Sequence, residues 1–332
     1  MRSPAPIVLV AFLAACGGPE IYFENDVLAP NAEPSDRNYT NGIRVQYTAP
    51  ADESPAWARP LINALNPFRW DRATEIGLTA GQQIFTPRDL SRSEVIPDDR
   101  PYAGWLFGGI ARYDCEYDDS DARRRDSQVM TEYVLGVLGP PALGEETQRL
   151  AHKIFQGEDP QGWANQVATE PTFMMSLQRQ DRLWARQARS VGVDFLTRVG
   201  ASVGTPVTNG FVGGMLRTGW RLPRDFAATP SNPSLSYSAL ARRSETPYSV
   251  HVFGGAVVRG VAYSSFLDGT LFRSSPHTVA REPWVADLEA GIAVQIGWFR
   301  VGYTVVERTP EFRERRENHR FGSLHVSWTL RR

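Results

Sequence analysis

Tyr248-Ser249-Val250-His251-Val252-Phe253-Gly254-Gly255-Ala256-Val257-Val258-Arg259-Gly260 is the stretch that decides the fold. Val250, Val252, Gly254, Ala256 and Val258 share one face at a period of two, the pattern of a β-strand with a small, apolar side. The strand candidate runs on to residue 266, far past the five or six residues usual in a globular sheet. Crossing an outer membrane takes about 9–11 residues of tilted strand, so length and alternation together point to a membrane-spanning barrel.

The rest of the chain repeats this pattern. Further long strand candidates lie at 20–28, 74–85, 102–117, 128–138, 173–185, 191–203, 210–222, 284–296, 299–308 and 321–330. Another opens at Tyr39, where Ile43, Val45 and Tyr47 alternate with Arg44, Gln46 and Thr48. With 248–266 they number twelve, an even count, as expected of bacterial barrels. Many residues of the opposite face are Gly, Ser, Thr, Arg and Gln, which suits a polar lumen. The aromatic content of 11%, with nine Trp and eleven Tyr, suits interfacial girdles. The expected fold is therefore all-β: one transmembrane antiparallel β-barrel of twelve strands over residues 20–332, with a short helical insertion at about 145–167. The C-terminal Phe common in such barrels is missing, and Trp328 is the candidate aromatic for the assembly signal.

Composition narrows the partners. A net charge of −1 with no long basic run argues against nucleic acid. Hydrophobic content of 42% excludes a helical membrane bundle. The N-terminus, Met1-Arg2 followed by the apolar Ile7–Leu13 run and small residues, reads as a secretory signal over residues 1–16. Leu13-Ala14-Ala15-Cys16 also resembles a bacterial lipoprotein box, with ordinary signal cleavage nearby as the other reading. Cys115 is the only other cysteine, so neither a disulfide framework nor a thiolate metal site is expected.

One segment breaks the strand pattern. Glu145-Glu146-Thr147-Gln148-Arg149-Leu150-Ala151-His152-Lys153-Ile154-Phe155-Gln156-Gly157-Glu158 has acids at the favourable end of a helix and a glycine as a stop. Gln148 lies one turn before His152 and shares its face. Glu158 follows His152 by six positions, about 120° around an ideal helix, and meets the imidazole only if the chain turns at Gly157. A carboxylate on one ring nitrogen would leave the other to take a proton from water. The remaining histidines, His251, His277, His319 and His325, have no comparable polar neighbourhood in sequence. A second constellation, Asn25-Asp26 and Thr40-Asn41-Gly42, falls on consecutive strands across one loop. It is oxygen-rich in the way calcium prefers, although Asn-Asp and Asn-Gly are also ordinary turn chemistry.

Phe23-Glu24-Asn25-Asp26, Asp36-Arg37-Asn38-Tyr39-Thr40-Asn41-Gly42 and Asp99-Arg100-Pro101-Tyr102-Ala103-Gly104 resemble the outer-membrane lipid A deacylase family. Gln148-Arg149-Leu150-Ala151-His152 with Gly157-Glu158 is similar to that family's catalytic helix. The resemblance follows the whole mature chain in order. It implies a twelve-stranded integral outer-membrane barrel and a calcium-dependent esterase that removes the 3'-acyloxyacyl group of lipid A without a serine nucleophile. It further implies His152 as the base, Glu158 as its orienting partner, Gln148 as support, Asp26 and Asn25 at a Ca2+ site, and Thr40 and Asn41 on the metal and oxyanion side. Its substrate is lipopolysaccharide within the bilayer, and oligomeric state is left open. Arg37, Arg88 and Arg92 are candidates for the lipid A phosphates, because Arg grips phosphate with paired hydrogen bonds. The loop around Arg88 departs from the Lys/Arg cluster of characterised relatives. Three other readings stand beside this one: an outer-membrane phospholipase, a non-catalytic channel or structural barrel, and a periplasmic lipoprotein sandwich.

Overall fold

The computed structural model describes residues 18–30, 38–51, 75–117, 126–155, 157–226 and 247–328, with positions 56, 60 and 63 between. The signal segment and Cys16 lie outside the described residues. Twelve strands form one closed antiparallel barrel: β1 (Gly18–Asn25), β2 (Asn38–Pro50), β3 (Glu75–Thr86), β4 (Ala103–Tyr117), β5 (Asp126–Leu138), β6 (Glu170–Ala188), β7 (Val191–Gly204), β8 (Val207–Trp220), β9 (Tyr248–Ser264), β10 (Trp284–Ile296), β11 (Phe299–Arg308) and β12 (His319–Trp328). Each strand pairs with its sequence neighbours, and β1 closes the ring on β12 with Glu20 opposite Ser327 and Asn25 opposite Gly322.

The period-two pattern does what the sequence predicts. In β9, Val250, Val252 and Val258 face outward and exposed, while Ser249, His251, Phe253, Val257 and Arg259 are buried inside. Leu135, Val199, Val212, Leu216, Leu288 and Ile292 extend this exposed aliphatic belt. Trp220, Tyr248, Trp298 and Phe299 mark its lower edge near the chain termini, and Phe173 and Trp284 mark the other. No helix among the described residues is long and apolar enough to cross a membrane; the strands make the crossing.

Several strand ends differ from the sequence expectation. β1 stops at Asn25 rather than 28, because the Asn25 side chain accepts a hydrogen bond from the Val27 amide at 2.8 Å and turns the chain into a 3-10 turn over Asp26–Leu28. β9 ends at Ser264, and the next four residues, Ser265–Asp268, wind into a helical turn. β6 and β8 both begin three residues earlier than expected, and β12 begins two residues earlier.

The lumen is packed rather than open. At the end near the termini, Arg182 and Arg217 share Asp194, and Arg217 also reaches Asp225 at 2.5 Å. Arg300 and Asp225, and Arg182 and Asp126, are paired too. Midway, Arg198 meets Glu289 at 2.6 Å. At the opposite end Asp287 joins Arg259 and Arg308, while Glu311 joins Arg308 and Arg100. Burying charge is costly unless each ion meets an opposite one in good geometry, and these pairs do so. Aromatic side chains Phe85, Trp105, Phe107, Phe266 and Phe321 fill the space between.

Candidate active site on the outer wall

The helical insertion is α1 (Gly144–Phe155), preceded by a 3-10 turn at Pro140–Ala142. It lies against the outside of β3 and β4. Gly104 faces outward on β4, and a Cβ there would come within 3.2 Å of the Gly144 Cα, so glycine at both positions sets this close approach. Gln82, outward on β3, donates to the Ala142 and Leu143 carbonyls at 2.6 and 3.1 Å and fixes the start of the helix. At the far end the Gly157 amide closes on the His152 carbonyl at 2.9 Å, and a side chain on Gly157 would strike the imidazole. Arg149 then ties the returning chain down, bonding Glu145 within the helix and Asp159 beyond it.

The inner face of α1 holds the predicted pair. Gln148 and His152 are both buried, whereas Leu150, Lys153 and Ile154 point away into the surroundings. Trp163 donates through Nε1 to Gln148 Oε1 at 2.8 Å. The same indole packs with Tyr102, Leu90 and the outward, fully covered Ile84 of β3. Gln148 Nε2 is buried with no hydrogen-bond partner among the described residues. The imidazole Nδ1 lies in hydrogen-bond contact with the Glu158 main-chain carbonyl. A carbonyl only accepts, so Nδ1 carries the proton and Nε2 is the basic nitrogen. This corrects one expectation: the turn at Gly157 does bring residue 158 to the ring, but through its backbone, and the Glu158 carboxylate is exposed to solvent.

The second constellation comes to the same side of the wall. Asn25 and Asn41 are direct partners across β1 and β2, and both face outward. Asn41 stands opposite Ile84, next to the patch that carries Trp163 and Gln148. Its Oδ1 is buried without a hydrogen-bond partner among the described residues. Asp26 is buried in the turn that follows Asn25. That turn folds over the outer face of β12, where Leu28 covers Gly322, and the Tyr303 hydroxyl of β11 donates to the Leu28 carbonyl. Thr40 is placed differently. It is the extra residue of a β-bulge between Tyr39 and Asn41, and its hydroxyl is bonded to that of Thr86 at 2.6 Å in the β2–β3 seam.

The arginine candidates separate. Arg37 lies outside the described residues. Arg88 is bound to Asp98 at 2.7 Å and Arg92 is exposed on the same loop. Arg100, in the Asp-Arg-Pro-Tyr-Ala-Gly motif, is structural: its side chain is buried, paired with Glu311 at 3.2 Å and stacked over Phe85. Tyr102 of that motif supports Trp163, and burial pushes its hydroxyl up to about 12. Burial works against the Glu311 carboxylate, but Arg308 and Arg100 outweigh it and hold the group down to about 2. Sequence reasoning missed Trp163 and Gln82. A tryptophan shortly after a catalytic-looking helix was a usable signal, whereas nothing in the sequence marks Gln82.

Among the described residues, no three His, Cys, Asp or Glu side chains converge closely enough to hold a metal by themselves. An oxygen set built from one carboxylate, amides and main-chain carbonyls is the alternative, and the buried Asp26 carboxylate with the unsatisfied Asn41 Oδ1 fits a hard cation such as calcium.

Comparison with known proteins agrees with this architecture. The family model described as outer membrane protein LpxR matches residues 8–330. Among solved structures, LpxR from Salmonella typhimurium superposes with a TM-score of 0.72 at 20% identity, covering 94% of this chain and all of that one. The β domain of the Bordetella autotransporter BrkA (TM-score 0.39, 9% identity, 95% of this chain and all of that one) and the AIDA-I transport unit from Escherichia coli (0.39, 7%, 96% and 91%) match much less well. No curated protein sequence matches. A family match over nearly the whole length, on a closed twelve-stranded barrel with an aliphatic belt, makes this chain an integral outer-membrane protein that belongs to the LpxR family.

Proposed function

We propose that this protein is a carboxylic ester hydrolase that removes the 3'-linked acyloxyacyl chain from lipid A, with His152 activating the attacking water. The observation that carries the reading is the contact of His152 Nδ1 with the Glu158 main-chain carbonyl. Its Nδ1–H is committed to the Glu158 carbonyl, so Nε2 is the proton acceptor. The ring is held on the outer wall, at the end of the barrel that carries the folded long loops, where an outer-leaflet glycolipid lies.

Nε2 takes a proton from water as the water oxygen attacks the ester carbonyl carbon. The tetrahedral intermediate collapses by expelling the 3'-oxygen of the sugar, which receives the proton back from the imidazolium. The products are the intact acyloxyacyl carboxylic acid and a lipid A with a 3'-hydroxyl. Trp163 and the Glu158 carbonyl keep Gln148 and His152 in place through this sequence. Gln148 Nε2 offers a buried donor for the carbonyl oxygen or the water. Asp26 and Asn41, with Asn25 shaping the turn, would hold a calcium ion, and such an ion supplies positive charge to oxygen that becomes anionic in the transition state.

The test is mass spectrometry of lipid A incubated with the purified protein, with calcium or with chelator. Calcium-dependent loss of the 3'-acyloxyacyl mass is expected. His152→Ala should lower the rate by about 10²–10⁴ while leaving the heat-modifiable gel mobility of the folded barrel intact. Full activity in that variant, or phospholipid cleavage in place of lipid A cleavage, overturns the proposal. A channel function is disfavoured by the buried ion pairs across the lumen.

A further inference from the structure

One feature that hydrolysis leaves unused is a cavity of about 340 Å³ at the same end of the barrel, between the start of β2, the β3–β4 loop and the β11–β12 loop. Its wall is preset. Asp99 accepts from the main-chain amides of Arg88 and Arg100 at 2.7 and 2.8 Å, and Asp98 is occupied by the Arg88 guanidinium. Arg315 is spent on the loop itself, donating to the carbonyls of Glu317 and Asn318. The buried Phe312 ring also lines it.

Against this fixed background the buried Asn38 and the exposed Glu314, Arg316 and Glu317 bond through their side chains to no other described residue. Asn38 is only 4% exposed, yet its side-chain amide makes no hydrogen bond among the described residues and lines the cavity. It is also held at φ +73°, a left-handed conformation that asparagine tolerates better than most residues. Arg316 lines the cavity with no ion pair or hydrogen bond among the described residues, and so do the carboxylates of Glu314 and Glu317. An amide that both donates and accepts, one uncommitted guanidinium and two acceptor carboxylates form a mixed set. A bare anion would use only the guanidinium and be repelled by the acids. An apolar ligand would use none of them. A polyhydroxylated ring bearing one carboxylate or phosphate uses all: hydroxyls donate to the carboxylates, the amide bridges neighbouring hydroxyls, and the anionic group takes the guanidinium fork. The volume sits at the low end of small-ligand sites, which suits one or two sugar rings.

We infer that this cavity is a glycan subsite that takes an anionic sugar from the headgroup of an outer-leaflet glycolipid. Asn38 and Asn41 lie on the same strand, about 10 Å apart at strand rise, so the subsite borders the outer-wall site without sharing its side chains. The inference rests on the outer-membrane location and not on the hydrolytic reading.

The test is calorimetric titration of the full-length protein in detergent with deacylated rough lipopolysaccharide, a water-soluble glycan that keeps its acidic sugars and phosphates. The same glycan after carboxyl reduction and dephosphorylation is the control. The charged glycan should bind at least tenfold more tightly than the neutralised one. Arg316→Ala should weaken it about tenfold or more, the loss of one charge-assisted contact. Asn38→Asp, similar in shape and equally at ease in the left-handed region, should remove the preference for charge. His152→Ala should bind the glycan like the parent, which separates this subsite from ester cleavage. Equal binding of charged and neutral glycans, or parental binding by both cavity variants, overturns the inference. Inorganic phosphate competing as well as the glycan at equal concentration also overturns it, since that result marks a plain anion site. Free sugar acids binding as tightly as the deacylated lipopolysaccharide would place the source in solution and remove the glycolipid assignment.

Discussion

The lumen and the outer wall of this barrel both bury polar groups, but the lumen buries charge in pairs whereas the outer wall beside His152 buries amides. Inside, Arg182, Arg217, Arg300, Arg259 and Arg308 each find at least one carboxylate within bonding distance, and several carboxylates serve two arginines. On the outer wall few charges are buried, and amide atoms such as Asn41 Oδ1 and Gln148 Nε2 are left with capacity unused. A set of ions that satisfies itself holds a barrel together. The lumen also holds buried acceptors without a partner among the described residues, Gln83 Oε1 and Gln178 Oε1, so it is their place beside His152, and not the missing partner alone, that marks Asn41 and Gln148 as a site a ligand would complete.

Four experiments press on this contrast. Arg217→Leu should be the most damaging, because it takes from Asp194 and Asp225 one of the two arginines that each of them holds; a loss of about 3 kcal/mol is expected, seen as a lower urea midpoint for the folded barrel. A midpoint within 1 M of the parent would show that water replaces the guanidinium and that the lumen is wetter than its packing implies. Asn41→Ala should do the reverse, leaving the urea midpoint nearly unchanged while cutting deacylation by about 10²-fold; a large stability loss with little change in rate would move Asn41 to the structural class.

Acid should act on the lumen through Glu311. Its carboxylate is held at about 2, below its ordinary 4.5, so the stability it contributes is complete above about pH 4.5 and fades as pH falls toward 2. The shift corresponds to something on the order of 3 kcal/mol. Thermal unfolding at pH 6 and pH 3 should show the loss, and Glu311→Gln should flatten that interval. The smallest effect belongs to Glu158→Gln. Because the imidazole meets the main-chain carbonyl, deacylation should change less than about threefold, and a fall comparable to that of His152→Ala would restore the carboxylate to the site.

The fold was legible because strand length and alternation are local properties. Val250 to Val258 announce their lipid face without reference to the rest of the chain, and Glu145 and Gly157 bracket α1 by end effects alone. Strand limits were less legible: Asn25 turns β1 by capping Val27, a choice its sequence context shares with a continuing strand. The lumen pairs were not readable at all, since Arg198 and Glu289 are 91 positions apart and nothing nearby marks either as a partner. For the site, residue types and helix phase exposed His152 and Gln148. Whether Glu158 used its carboxylate or its carbonyl depends on the path of the chain after Gly157, which only coordinates give.

The turn at Asp26–Leu28 has a consequence for how the protein comes into being. It rests on Gly322 and is held by Tyr303, so the first strand's share of the site leans on the last two strands to be synthesised. The ring closes only when residues about three hundred positions apart have met, the slowest kind of contact for a chain to make. A barrel still in transit, or one truncated before β11, therefore carries the helix and its histidine but not the complete wall beside it. Activity would then begin with closure, and a nascent chain would be inert until it is seated in its membrane.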